Sequence, residues 1–77
     1  MIVVLENIRS VHNVGSIFRT ADAVGVDKIY LCGVTPTPFT VLRKKREDFH
    51  KVALGAEDSV SWEYRATISP IIRKYKN

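Results

Sequence analysis

The chain is poor in the residues that usually announce a reaction. Cys32 is the single cysteine among 77 residues. No disulfide can form within the chain, a usage that fits a reducing cytoplasm. Cys32 lies in an apolar stretch with no base beside it, so burial as a small hydrophobe is expected rather than nucleophilic catalysis. His12 and His50 have no partners at ligand spacing, and no zinc or other metal site is expected. Glycines occur only at positions 15, 25, 33 and 55. That spacing excludes the Gly-x-Gly-x-x-Gly dinucleotide fingerprint, and there is no P-loop. No apolar run approaches the ~20 residues of a membrane span. The run Ile2 to Leu5 is short and follows no basic segment, which argues against a signal peptide. Internal repeats and low-complexity tracts are absent.

What is there is a small basic chain. Net charge is +4 and the pI is near 9.5, a balance that permits contact with nucleic acid without requiring it. The densest charge is Arg43-Lys44-Lys45-Arg46, after a turn containing Pro36 and Pro38. Such a run is either a solvated excursion from a strand end or a contact for RNA phosphates. A chain of this length buries only about 60% of its unfolded surface, so its core is marginal.

Apolar periodicity predicts an α/β order. Ile2 to Leu5 reads as a buried parallel strand. Val14, Ile17, Phe18, Ala21 and Val24 form one stripe of a helix over residues 13–24. Asn13 or Ser10 can cap its start, and Gly25 can end it in a left-handed conformation. Lys28 to Cys32 reads as a second strand and Gly33 to Pro38 as a loop. A helix follows from Glu47 to Ala56, with Gly55 tolerated near its end. Ser61 to Ala66 is a third strand, and Ser69-Pro70 opens a last helix with serine as cap. The alternation implies a parallel sheet with crossover helices. The last helix ends after about two turns, shorter than the ~10–14 residues common in globular proteins, and no strand follows it. An interrupted fold is expected, which needs a partner or a missing half to cover its apolar surface.

Arg19 stands out on the helix. At about 100° per residue it lies nearly opposite the stripe, on the side of Ser16 and His12. It is either a solvated surface cation or, some one and a half turns from the helix start, a ligand for a phosphate shared with first-turn amides. Gly15 allows close approach of either a ligand or a neighbouring backbone.

Asn13-Val-Gly15-Ser-Ile-Phe-Arg19-Thr20-Ala21 resembles the first signature of the SpoU (TrmH-type) branch of the SPOUT RNA methyltransferases. Lys28-Ile-Tyr-Leu-Cys-Gly33 followed by Val-Thr-Pro36 resembles the family's second strand and exit loop. Lys51-Val-Ala-Leu-Gly55-Ala56-Glu57, then Val60 and Trp62, resembles its Lys-x-x-x-Gly-Ala segment. The likeness spans nearly the whole chain in order and spacing. The later signatures have no counterpart here: there is no Gly-Asn-Glu-type turn and no Ser-Leu-Asn-x-Ser helix. The resemblance therefore implies a Rossmann-like β-α-β-α-β-α fragment, the N-terminal part of a methyltransferase domain over residues 1–77, lacking the C-terminal trefoil-knot half and its S-adenosylmethionine pocket.

For function the resemblance implies an S-adenosylmethionine-dependent RNA 2′-O-ribose methyltransferase acting on tRNA or rRNA, inactive as this chain alone. Members are usually homodimers through the knotted half. Arg19 matches the arginine that faces the target ribose. Arginine is effectively always protonated, so phosphate grip and alkoxide stabilisation suit it better than base catalysis. Asn13 and Ser16 join Arg19 on the RNA-facing side, with Arg43, Lys44, Lys45 and Arg46 as further RNA contacts. Asn13 serves either RNA or the helix cap. Lys51 and Glu57 read, on chemistry alone, as an unremarkable surface pair. No cofactor-binding residue is expected in these 77 residues. The alternative is a non-catalytic basic α/β module that binds RNA or a partner.

Overall fold

The computed structural model describes residues 1–76. The strands are β1 (Ile2–Glu6), β2 (Lys28–Cys32) and β3 (Trp62–Arg65), and the helices are α1 (Val11–Val24), α2 (Glu47–Ala53), α3 (Ala56–Ser59) and α4 (Ser69–Tyr75). The three strands form one parallel sheet in the order β1-β2-β3. Ile2 lies opposite Lys28, and Ile29 opposite Trp62. This is the α/β parallel fragment that the apolar runs predict.

Alternation across the pleat divides the sheet. Leu5, Ile29 and Leu31 meet Val14, Phe18 and Ala21 of α1, Phe49 and Ala53 of α2 and Ala56 of α3 in the main core. Tyr30 and Cys32 face the other way and pack with Ile71 of α4, flanked by Ile2 and Val4. Cys32 is fully buried, and desolvation, with Glu6 a lesser cause, pushes its thiol pKa up. That makes it inert, as its apolar setting predicts. The Tyr30 and Tyr75 hydroxyls lie 3.1 Å apart and tie α4 down.

Several local expectations change. Ser10, not Asn13, caps α1: its Oγ accepts from the Asn13 N–H at 3.1 Å. Gly25 does end the helix, with φ of 77°. Val24, counted on the apolar stripe, is 65% exposed. In the last turn of the helix it faces an open groove with Met1 and Val26 instead of the core, while Gly15 joins Val14 and Phe18 on the buried face. A Cβ on Gly15 would meet Val52 Cβ at 3.1 Å and the Phe49 carbonyl at 3.3 Å. Of the two expected uses, the glycine thus admits a neighbouring backbone, that of α2.

The single helix expected from Glu47 to Ala56 is broken. Leu54 and Gly55 take φ of 54° and 88°, turning the chain between α2 and α3. Glycine accepts this freely and leucine does not; Leu54 is nonetheless held there and points 61% into solvent. At α4, Ile68 occupies the cap position without a side-chain bond, so Ser69 is inside the helix rather than its cap.

Candidate functional site

In parallel sheets, function gathers at the carboxyl ends of the strands. Here those ends are stitched shut. Asn7, with φ of 56°, follows β1; its N–H donates to the Cys32 carbonyl at 3.1 Å and its Oδ1 accepts from the Val34 N–H at 3.1 Å. The buried Thr35 hydroxyl lies 3.0 Å from the Leu5 carbonyl and 2.7 Å from the Cys32 carbonyl, donating to one, and accepts from the Ile8 N–H at 3.2 Å. The Tyr64 hydroxyl donates to the Gly33 carbonyl at 2.7 Å. This clasp fixes where the chain leaves β1, and so where α1 starts. It was not legible in the sequence, because Asn7 and Thr35 read as ordinary loop polars.

From that start, α1 presents a polar face. His12, Ser16, Arg19 and Ala23 recur three or four residues apart, as the helix period requires. With Thr20, and with Lys51 and Val52 of α2, they line an open groove of about 590 Å³. The expectation that Arg19 shares a face with Ser16 and His12 is met. Lys51 completes the groove. No acidic side chain lines it, so Arg19 and Lys51 give it a positive field suited to an anion.

The site also departs from expectation. With Ser10 as cap, Arg19 stands about two and a half turns into α1, roughly 12 Å from the first-turn amides at 1.5 Å per residue. It therefore lies farther from them than the one and a half turns expected, and Lys51 of α2 lines the groove beside it. Asn13 is exposed in the first turn and does not line the groove. The run 43–46 lies elsewhere too, in a loop whose Phe39 and Lys45 pair as an antiparallel bridge. Its four cations are not alike. Lys45 Nζ pairs with Asp58 at 3.1 Å, and Arg46 is half-buried at the start of α2. Arg43 and Lys44 are exposed and make no ion pair among the described residues.

Lys51 and Glu57 are not a surface pair. The Glu57 side chain is 1% exposed and bonds His50 Nδ1 at 2.9 Å, while Lys51 faces the groove. Its other oxygen, Oε1, has no partner among the described residues. The kink at Leu54 and Gly55 folds α3 back against α2 and so brings position 57 to position 50. A continuous helix would not have done so, and no periodicity in the sequence marks it.

A second, mostly apolar groove, of about 300 Å³, is lined by Met1, Val3, Ile17, Val24 and Val26, with Ser16 and Thr20 shared between it and the first. Its apolar walls offer no chemistry. None of the helices among the described residues is long and apolar enough to cross a membrane.

Compared with known proteins, the chain matches the profile of the SpoU rRNA Methylase family over residues 1–77. No curated protein and no solved structure matches it.

Proposed function

The chain belongs to the SpoU rRNA methylase family, a family of RNA methyltransferases, and from that premise we propose that it forms the RNA-facing part of an enzyme that methylates ribose 2′-hydroxyls. The observation that carries this reading is the acid-free groove in which Arg19 and Lys51 lie together between α1 and α2. In it Arg19 holds a phosphate next to the target ribose. Its planar fork also stabilises negative charge developing on the 2′-oxygen as the hydroxyl proton passes to solvent at the open groove. Lys51, a compact point charge, adds to the phosphate grip. Ser16 and Thr20 supply hydroxyl partners for the sugar–phosphate backbone.

The methyl donor implied by the family is S-adenosylmethionine, which supplies an electrophilic methyl group on a sulfonium. The described residues do not fit it. Arg19 and Lys51 repel a cation, and the strand ends are filled: a Cβ placed on Gly33 would fall 2.1 Å from Asn7 Oδ1. We assign the donor site to sequence outside residues 1–77, so that these residues alone transfer no methyl group. A tRNA or rRNA substrate and a homodimeric assembly belong to this same reading.

The test is Arg19→Lys in the catalytically complete protein, with 2′-O-methylation read by mass spectrometry of digested RNA. Charge is retained and the fork is lost. We expect methyl transfer to fall roughly 10²-fold or more, as when one preorganised donor is removed. The melting temperature should hold, since Arg19 is exposed. Full activity would make Arg19 an ordinary surface cation and end the proposal.

A further inference from the structure

The loop from Pro38 to Arg46 is built more carefully than a solvated excursion needs. The Thr40 N–H donates to the Lys44 carbonyl at 2.8 Å, the Arg43 N–H to the Thr40 carbonyl at 2.9 Å, and the Arg46 N–H to the Pro38 carbonyl at 2.8 Å. The Lys44 N–H donates to Thr40 Oγ1 at 3.2 Å, and Lys45 is pinned to Asp58. At its base Phe39 lies on Trp62, with ring centroids 6.2 Å apart and planes inclined by 32°. Trp62 in turn packs on the main core. Phe39 is still 40% exposed. Between it and Arg43 opens a recess of about 360 Å³. Arg43 takes a φ of 61°, a left-handed conformation that costs a non-glycine residue free energy. The turn itself demands that conformation: the hydrogen bonds of Thr40 with Arg43 and Lys44 close a hairpin loop whose last residue is left-handed, and they leave the Arg43 side chain exposed.

An aromatic ring anchored on the core and a guanidinium, together lining an open recess, are the groups that hold an unstacked base. We propose that Phe39 and Arg43 grip one nucleobase of single-stranded RNA, and that exposed Lys44 meets a phosphate beside it. The site is separate from the Arg19 groove and reads a nucleotide away from the methylated one. It rests on the RNA reading above. Because every base has a π-face, the grip is tolerant of sequence and serves to position the strand. The internal hydrogen bonds lower the ordering cost of binding. Val41 and Leu42, 99% and 75% exposed, are too few to anchor the loop in lipid.

Trp62 is the single tryptophan and reports on Phe39 directly. A single-stranded RNA dodecamer is titrated into the protein, with binding followed by anisotropy of a labelled strand and by Trp62 fluorescence. Base stacking should quench Trp62 as the strand binds. Phe39→Ala should weaken binding about 5- to 150-fold, the range for loss of one base–aromatic stack, and abolish the quench. Phe39→Tyr should keep both. Arg43→Lys, which disturbs no packing, should weaken binding while leaving its salt dependence unchanged. If RNA binds and neither Phe39→Ala nor Arg43→Lys weakens it, the base grip is wrong and the RNA reading stands. If the wild type binds no RNA, the RNA reading fails and this site fails with it. Binding to phosphatidylserine vesicles that is lost in Phe39→Ala, without RNA binding, overturns the proposal in favour of a lipid contact.

Discussion

Replacing Gly15 by alanine would ordinarily stabilise a helix, by about 1 kcal/mol. In this protein the opposite is expected. The new methyl would sit 3.1 Å from Val52 Cβ, 3.3 Å from the Phe49 carbonyl and 3.4 Å from Val52 Cγ1. Neither of the two closest atoms can swing aside, because one is backbone and the other is bonded to it. Relief requires α2 to move as a body. That movement loosens the edge-to-face contact of Phe18 with Phe49, whose rings lie 5.1 Å apart. Overpacking of this kind costs ~1–3 kcal/mol. Set against the helix gain, the net loss should be about 1 kcal/mol. For a domain of this size that lowers the melting temperature by roughly 4–8 °C. Paired thermal melts followed by circular dichroism measure it. A higher melting temperature for Gly15→Ala would mean that α1 and α2 are not in close approach, and the groove between Arg19 and Lys51 would lose its geometry.

Three more outcomes are open to measurement. Lys44→Ala should lower the log–log salt slope of RNA binding by about 0.7, the value for one phosphate contact on a single strand; adding Lys45→Ala, already paired with Asp58, should change it little. The Lys28 ammonium, hydrogen-bonded at 3.0 Å, holds the Glu63 carboxyl below its ordinary value of 4.5. A depressed folded pKa gives stability that is present above the unfolded value and lost as pH falls through the folded one. The advantage of the wild type over Lys28→Met in urea unfolding should therefore shrink as the pH drops below 4.5; a constant advantage would mean that the pair is idle. Calorimetric titration of the 77-residue chain with S-adenosylmethionine should show no saturable binding, and micromolar affinity would refute the assignment of the donor site elsewhere.

Much of this fold is legible in one dimension because its elements obey local rules. Ile2 to Leu5 and Ile29 to Leu31 are apolar runs that a buried parallel strand demands, and Gly25 stops α1 by a property of glycine alone. Arg19, Ser16 and His12 fall on one face by helical period, so that half of the groove could be read directly. The other half could not. Lys51 faces Arg19 only because Gly15 lets α2 come close, and Glu57 is buried against His50 only because Leu54 adopts a conformation leucine dislikes. Thr35 and Asn7 act through bonds to residues some thirty positions away in the chain. Each of these is set by a tertiary contact that overrides local preference. The choice between Ser10 and Asn13 as cap is of the same kind, since both can serve locally and the exit from β1 decides.

The strand order has a further meaning in time. Because β1, β2 and β3 lie side by side in the order in which they occur, each strand of a nascent chain finds its partner already synthesised. β2 can dock on β1 as soon as α1 has crossed over, and β3 on β2 after α2 and α3. Among the described residues no strand waits for one still inside the ribosome, and none is inserted between two others. Translation delivers roughly 5–20 residues per second, slowly enough for each such unit to settle before the next appears. An apolar, parallel sheet is a slow and aggregation-exposed thing to assemble from a whole chain at once. Built in this sequence it is assembled one docking at a time, which makes the ribosome itself the pacemaker of its folding.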